Sequence, residues 1–492
     1  MSSFSFSSWP PALNDEQLEA LTVYATTYAL SHGLIYLPAV ASQPAIPSSA
    51  IHAPLSLFPS PFPRRLFALA RRLQTTYNTL YARIATDVEF LDKVMGSIEG
   101  VGKVDHFVGQ LWAGWKVLRD EGGLVQQPLQ LGLFRSDYLL HASSTGEPLG
   151  LKQVEFNTIS SSFGTLSQRT AALHRHLYAS TGYYNVYPGM KSGAFPVNNT
   201  TAGLVEGLVA AHTAYNVPGS KILFVVQAGE RNVFDQRHLE DELLEKHSIH
   251  VVRQTFDQLA SSASVDPTSR ALLISGTEIS TVYFRAGYTP TDYPTPEHYA
   301  TRFLLERSLA IKCPSIALQL AGGKRVQQVL AEPGILERFL QGDELVLLRE
   351  NWMRMWALDE VNGVARARED HARLVLKPQR EGGGNNVYRD SIPTFLDGLP
   401  EAELPAWIAM ELIEPPKGTG GYLVRSNAGA GAVKAEVVSE LGIFGWALFG
   451  GSDAKVKEKE VGWLVRTKGK DSDEGGVATG FSVLDSVLLV DD

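Results

Sequence analysis

Residues 221–227 read K-I-L-F-V-V-Q, a continuous apolar run of the kind needed by a strand buried on both faces. A helical pattern follows, D-Q-R-H-L-E-D-E-L-L-E-K-H, then I-H-V-V-R-Q-T-F, another helix, and the runs A-L-L-I-S and T-V-Y-F-R. Strand and helix in that alternation are β-α-β-α-β, which predicts a small doubly wound parallel sheet. The turn N-V-P-G-S stands in front of it, and the unit reads as a separate domain inserted in the chain.

The flanks are organised differently. Residues 14–33 predict an amphipathic helix: Asn14 with Gln17 forms a capping box, Leu18, Leu21, Ala25 and Tyr28 share a face, and Gly33 stops it. The proline-rich segment 38–63 predicts an extended wrap rather than a strand or helix, and helical periodicity resumes over 64–120. From about Lys324, helices mix with the strands R-L-V-L-K-P, A-W-I-A-M-E-L-I-E, A-E-V-V-S-E-L-G-I-F-G-W-A-L-F and V-G-W-L-V-R-T-K. A mixed α/β (α+β) architecture follows, and 492 residues suffice for roughly two or three domains.

A net charge of −9 speaks against a nucleic-acid partner, so an anionic ligand needs a local positive pocket. Cys313 is the only cysteine, which leaves neither an intrachain disulfide nor a cysteine-based zinc site. The start M-S-S-F-S-F-S-S-W-P-P lacks the basic and apolar regions of a signal peptide. No apolar run reaches the roughly 18 residues of a membrane span. The expectation is a cytoplasmic enzyme or binding protein with no membrane partner.

Chemistry concentrates in four places. Residues 374–388, L-V-L-K-P-Q-R-E-G-G-G-N-N-V-Y, set Lys377, Arg380 and Glu381 against three glycines and two asparagines. Glycines let backbone N–H groups approach a polyphosphate, and a carboxylate supplies a hard oxygen for Mg²⁺; a plain hairpin connection is the other reading. In K-Q-V-E-F-N-T-I-S-S-S-F-G, residues 152–164, a strand would put Glu155 and Asn157 on one face, with Ser160 and Ser162 beyond. An exposed strand face before a serine-rich turn explains the same residues. E-R-N-V-F-D-Q-R, residues 230–237, follows the first strand of the doubly wound unit, where such sheets bind ligands. There Glu230, Asn232 and Gln236 could read a zwitterion, or the stretch is a helix N-terminus capped by Asp235. Y-F-R-A-G-Y offers Arg285 and Tyr288, and arginine is the usual bidentate partner of a carboxylate. Finally, V-R-T-K-G-K-D-S-D-E-G-G-V-A, residues 465–478, puts Arg466 and Lys468 on one face before a glycine-containing loop suited to a lid or to bare surface. Walker, G-x-G-x-x-G, H-E-x-x-H and G-x-S-x-G motifs are all absent from the sequence.

Taken together, L-K-P-Q-R-E-G-G-G-N-N, Q-V-E-F-N-T-I-S-S-S-F-G, E-R-N-V-F-D-Q-R, Y-F-R-A-G-Y, I-K-C-P-S-I-A-L-Q-L-A-G-G-K and S-E-L-G-I-F-G closely resemble the eukaryotic-type glutathione synthetases. The segments keep that family's order from about residue 57 to about residue 485. The resemblance implies an ATP-grasp fold: residues 1–218 as the N-terminal part of the body, 219–323 as the inserted substrate-binding domain, and 324–492 as the ATP-binding part with glycine-rich lid loops. It also implies a homodimer that joins glycine to the cysteinyl carboxylate of γ-glutamylcysteine, with ATP converted to ADP and phosphate through an acyl phosphate. A related ligase with another acceptor such as β-alanine, or a non-catalytic nucleotide-binding regulator, is the alternative.

The family's Mg²⁺ ligands match Glu155, Asn157 and Glu381. Its ATP contacts match Glu155, Lys324, Lys377, Glu381, Gly382, Gly383, Gly384, Asn385, Asn386, Tyr388, Met410, Glu411, Leu412, Ile413, Glu440 and Lys468. Glu474 joins them where the family commonly has Asp. The dipeptide site matches Arg135, Ser160, Ser161, Ser162, Glu230, Asn232, Gln236, Arg285 and Tyr288, with Arg466, Val477 and Ala478 on the acceptor side. Arg135, Lys324, Lys377 and Arg466 carry the catalytic expectation. Cys313 is expected to be a buried apolar residue rather than a nucleophile.

Overall fold

The computed structural model describes residues 4–38, 46–123, 127–143, 147–185, 187, 189–380, 384–426, 431–451, 455–472, 477, 480 and 482–491. Helix α1 (Asp15–Ser31) opens with the expected capping box: Asn14 Oδ1 accepts from the Gln17 N–H at 2.8 Å, and the Gln17 side chain accepts from the Asn14 N–H at 3.2 Å. Its buried residues, Leu21, Ala25 and Ala29, lie four apart on one face.

The proline-rich stretch departs from expectation. It forms the short strands Ile51–His52, Leu55–Ser56 and Ser60–Pro63, the last running parallel to Val487–Val490. That pair is a two-stranded sheet, an edge setting where the missing proline N–H costs no ladder bond.

A large sheet supports the rest. Its main strands begin with β1 (Gln130–His141), β2 (Gly150–Asn157), β3 (Lys221–Val225), β4 (Val251–Gln254), β5 (Thr277–Phe284) and β6 (Ile311–Cys313). A separate four-stranded sheet holds β7 (Met355–Ala357), β8 (Leu374–Pro378), β9 (Val387–Tyr388) and β10 (Trp407–Glu411). The chain then returns to the large sheet with β11 (Val433–Phe449), β12 (Lys457–Gly469) and β13 (Ser482–Asp485). One half is antiparallel, with β2 and β11 flanking β1 and with β12 and β13 beyond β11. The other half is parallel: β3 lies between β4 and β5, and β5 pairs with β6, which reaches the start of β1.

Helices cover both faces, as a two-sided sheet requires. Leu441 and Ile443 of β11 join the core around α2 (Arg64–Thr86). Phe444 and Trp446 join the core around α3 (Gly164–Thr181) and α4 (Thr200–Tyr215). The doubly wound reading is corrected in one detail. A-L-L-I-S does not add a further parallel strand; Leu272–Ile274 folds back antiparallel on β5. The cause is the Ser275-Gly276 turn, both residues having positive φ (48° and 80°), which suits a two-residue hairpin. Among the described residues no helix is long and apolar enough to cross a membrane.

Candidate functional site

Alternation along four adjacent strands builds one charged face. Register aligns Glu155 with Asp137 and Asn157 with Arg135, Asp137 with Gly442 and Arg135 with Phe444, and Glu440 with Arg466 and Val438 with Lys468. Side chains two apart on a strand share a face, so these residues meet on one side of the sheet. Arg135 and Asp137 form a buried ion pair, Nε to Oδ1 at 2.6 Å and Nη2 to Oδ2 at 2.8 Å. Arg466 divides between Asp137 Oδ2 at 3.1 Å and the Glu440 carboxylate. Burial raises the Glu440 carboxyl; Arg466 opposes this, while Asp137 and Glu155 add to it. Burial works against the Arg466 guanidinium, yet Glu440 and Asp137 hold its pKa above the ordinary range.

A β-bulge aims β2 at the cleft. Asp137 pairs with Glu155 but Tyr138 pairs with Gln153, so Val154 has no cross-strand partner in the ladder. Its carbonyl accepts from Lys377 Nζ at 2.9 Å, which ties β8 of the small sheet to β2 of the large one. On the same wall Lys324 Nζ, from the helix α6 (Lys324–Leu330), lies 2.9 Å from Glu155 Oε2. Burial alone would raise the Glu155 carboxyl, but Lys324 and Lys377 hold it well below the usual carboxylate range.

The small sheet supplies the opposite wall. Its Leu374, Leu376 and Ala409 pack with Trp356, Ile392 and Leu396 into a separate apolar cluster. Alternation turns Val375 and Lys377 the other way. Val375 is in register with Met410 on one side and Tyr388 on the other, so three strands contribute one row of mostly apolar side chains. Between the two walls lies a cavity of about 360 Å³. Of the residues expected at the site, it is lined by Arg135, Glu155, Asn157, Ser160, Ser162, Tyr288, Lys324, Lys377, Asn385, Asn386, Tyr388, Met410, Glu411, Leu412, Ile413, Glu440, Arg466, Lys468 and Val477.

Several expected residues sit elsewhere. Ser161 turns into the body and donates to Leu133 O at 3.3 Å, and Gly384 is not part of the lining. Glu230, Asn232, Gln236 and Arg285 form an adjoining cluster: Glu230 accepts from the Asn232 N–H at 2.8 Å and from Gln236 Nε2 at 3.3 Å. Arg285 Nη1 clasps Ser160 O at 2.7 Å, and Ser160 Oγ donates back to Phe284 O at 3.2 Å. Both amide atoms of Asn232 are buried and have no partner among the described residues. Glu381, Gly382, Gly383, Glu474 and Ala478 lie outside the described residues.

Sequence reasoning missed two contributors. Asp137, two residues after Arg135 in L-F-R-S-D-Y, is the shared anion of the charged face. Asp235 does not cap its own helix α5 (Val233–His247), whose N-cap is Asn232. Its carboxylate accepts from the N–H groups of Phe163 at 2.8 Å and Thr165 at 3.0 Å and so caps α3 instead. That cap steadies the Ser160–Phe163 turn, where Ser160 and Phe163 both hold positive φ (51° and 68°). Cys313 is buried, and burial pushes its thiol up, which suits packing rather than nucleophilic attack.

The described donors fit a hard divalent cation. Asn157 Nδ2 is engaged by Asp137 and by Arg135 O, at 3.0 and 3.2 Å. That leaves Oδ1 for the cavity beside the Glu155 carboxylate, a pair of oxygen donors of the kind that holds a cation shared with phosphates. No cluster of three or more His, Cys, Asp or Glu among the described residues forms an all-protein cage.

Comparison with known proteins settles the class as an ATP-dependent ligase. The model of a family described as "Eukaryotic glutathione synthase, ATP binding domain" matches residues 15–489. The human glutathione synthetase is 39% identical over 487 residues, covering 97% of this chain and 98% of its own. The glutathione synthetase large chain of Schizosaccharomyces pombe is 38% identical over 503 residues, covering 96% and 98%. A solved glutathione synthetase like-effector from Globodera pallida, in apoform, superposes with a TM-score of 0.76 at 24% identity over 97% of this chain and 98% of its own, a likeness of fold. The chain belongs to the eukaryotic glutathione synthase family.

Proposed function

We propose that the cavity joins the cysteinyl carboxylate of γ-glutamylcysteine to the amine of glycine, using ATP and releasing ADP and phosphate. The observation that carries this reading is the convergence of Lys324, Lys377, Arg135 and Arg466 with Glu155 and Asn157 on one cavity, beside the row Met410–Val375–Tyr388. The row offers a platform for a purine, with Glu411, Leu412 and Ile413 at its edge. Lys324 and Lys377 hold the phosphates as point charges next to Glu155. Glu155, Asn157 and Glu381 would hold a divalent cation, which we take as Mg²⁺, and when bound it neutralises phosphate charge during transfer.

A carboxylate resists attack by an amine, so the γ-phosphoryl group is moved to it first, a step governed by positioning and charge. Arg135 and Tyr288 line the dipeptide end, Ser160 and Ser162 bracket it, and Arg285 and Glu230 back it. Asn232, whose backbone N–H donates to Glu230, belongs to the same backing cluster. Arg466 and Val477, which line the cavity, serve the acceptor side, to which the family likeness also assigns Ala478. The amine then attacks the acyl carbon and phosphate departs with one former carboxylate oxygen. A homodimer, a cytoplasmic setting and no nucleic-acid partner complete the reading; the dimer follows from the family likeness, and the net charge of −9 accords with the last.

The test is isotopic. Dipeptide labelled with ¹⁸O in its cysteinyl carboxylate should deliver one labelled oxygen to the released phosphate. Unlabelled phosphate would overturn the acyl-phosphate route.

A further inference from the structure

One carboxylate stands behind the cavity wall rather than on it. The Asp137 side chain has 0% exposure, and its oxygens accept from three residues that face the cavity. Oδ1 takes the Arg135 Nε–H at 2.6 Å, while Oδ2 takes Arg135 Nη2 at 2.8 Å, Asn157 Nδ2 at 3.0 Å and Arg466 Nη2 at 3.1 Å. The donors come from β1, β2 and β12. Gly442 of β11 completes the nest, because a Cβ there would stand 2.8 Å from Asp137 Oδ1.

Each bond decides what its donor presents to the cavity. Arg135 commits its Nε–Nη2 edge to Asp137, which leaves Nη1 toward the serine turn, 3.3 Å from Ser162 O. Asn157 is the more constrained. Reversing its amide would set an amide oxygen against the Asp137 carboxylate and against Arg135 O, two acceptors that now share its N–H groups. The amide oxygen is therefore the atom held on the cavity side. Arg466 is shared between Asp137 and Glu440, so its guanidinium is fixed from two directions.

We propose that Asp137 is a positioning residue for the ligation. Its buried carboxylate turns the Asn157 amide oxygen toward the divalent cation and aligns Arg135 and Arg466 toward the reacting groups. Partners behind a metal ligand commonly matter this way, because they set the ligand's orientation. The proposal rests on the ligase reading above, and the experiment separates the two.

Mn²⁺ is titrated into the full-length protein saturated with ADP, with free Mn²⁺ followed by electron paramagnetic resonance. Asn157→Ala and Asp137→Asn should each weaken Mn²⁺ binding by about tenfold or more. The exchange variant Asp137→Asn/Asn157→Asp restores a donor–acceptor pair with an oxygen on the cavity side, so it should bind Mn²⁺ within about threefold of the parent protein. Parent-like binding by Asp137→Asn, or an exchange variant no better than Asp137→Asn, overturns the proposal while the ligase reading stands. A parent protein that binds no Mn²⁺ with ADP, or an Asn157→Ala variant that binds it undiminished, overturns the site reading and the proposal with it.

Should Asp137→Asn not fold, the exchange variant decides alone, since it keeps the pair's charge. It is expected to keep Mn²⁺ affinity while the dipeptide KM rises about tenfold, because Arg135 has lost its two-oxygen partner. Loss of Mn²⁺ binding, or a parent-like KM, overturns the proposal.

Discussion

Gly442→Ala tests the charged face with a single methyl group. Gly442 lies in register with Asp137, and an added Cβ would stand 2.8 Å from Asp137 Oδ1, 2.9 Å from Arg135 Cδ and 3.2 Å from Arg135 Cγ. Neither neighbour can swing aside: Asp137 is 0% exposed, Arg135 is 5% exposed, and each is the other's partner through two bonds. Overpacking of this kind costs about 1–3 kcal/mol. At about 2.1 cal/mol/K per residue the unfolding entropy of 492 residues is about 1 kcal/mol/K. The melting temperature should therefore fall only about 1–3 °C, and a thermal scan is the less sensitive reading. Turnover is the sensitive one, because displacing positioned groups by a fraction of an ångström should lower kcat by about ten- to a hundredfold. Steady-state ADP release measures this, with Gly193→Ala as a control, since a Cβ there meets nothing within 4 Å. A Gly442→Ala variant with parent-like kcat and dipeptide KM would refute the packing account of the face.

Lys377→Ala removes the cation that donates to Val154 O and helps hold the Glu155 carboxyl low; ADP release should drop about 100-fold or more with the fold intact. Near-normal turnover would remove Lys377 from the phosphate site. Asp235→Ala takes the acceptor from the first N–H groups of α3, at a cost of about 1–3 kcal/mol. Calorimetry should register the loss, and the dipeptide KM should rise as the serine turn loosens. Asp485 carries a pH prediction: burial pushes its carboxyl from 3.8 up to about 7, against hydrogen bonds from Thr467 and Ser60 that lower it. The native state thus keeps a proton that the unfolded chain gives up, so this contribution is full below about pH 4 and is lost as pH rises through about 7. Asp485→Asn should therefore gain thermal stability over the parent progressively from pH 4 to pH 8, and a gap that does not change with pH would refute it.

Local signals carried far. Asn14 and Gln17 announced the first helix through a bond three residues long, and the K-I-L-F-V-V-Q run announced a doubly buried strand. R-L-V-L-K-P read as a strand, as β8 is, and the family-like segments supplied most residues of the cavity wall. What escaped depends on chain-distant register. Asp137 becomes an anion hub only when Asn157 and Arg466, 20 and 329 residues away, are brought beside it. Asp235 has an ordinary capping position in sequence, yet its partners lie 70 and 72 residues upstream. The bulge at Val154 depends on the pairing with β1, and proline's exclusion from strands does not hold at the sheet edge where Ser60–Pro63 pairs. In each case a tertiary partner decided what propensity left open.

The most direct measurement of the central claim is ADP release by the purified protein with ATP, Mg²⁺, γ-glutamylcysteine and glycine, each omitted in turn. Ligation at the described cavity predicts ADP formed in step with glutathione and falling to background when any one component is missing. ADP formed at the full rate without glycine or without the dipeptide would contradict it.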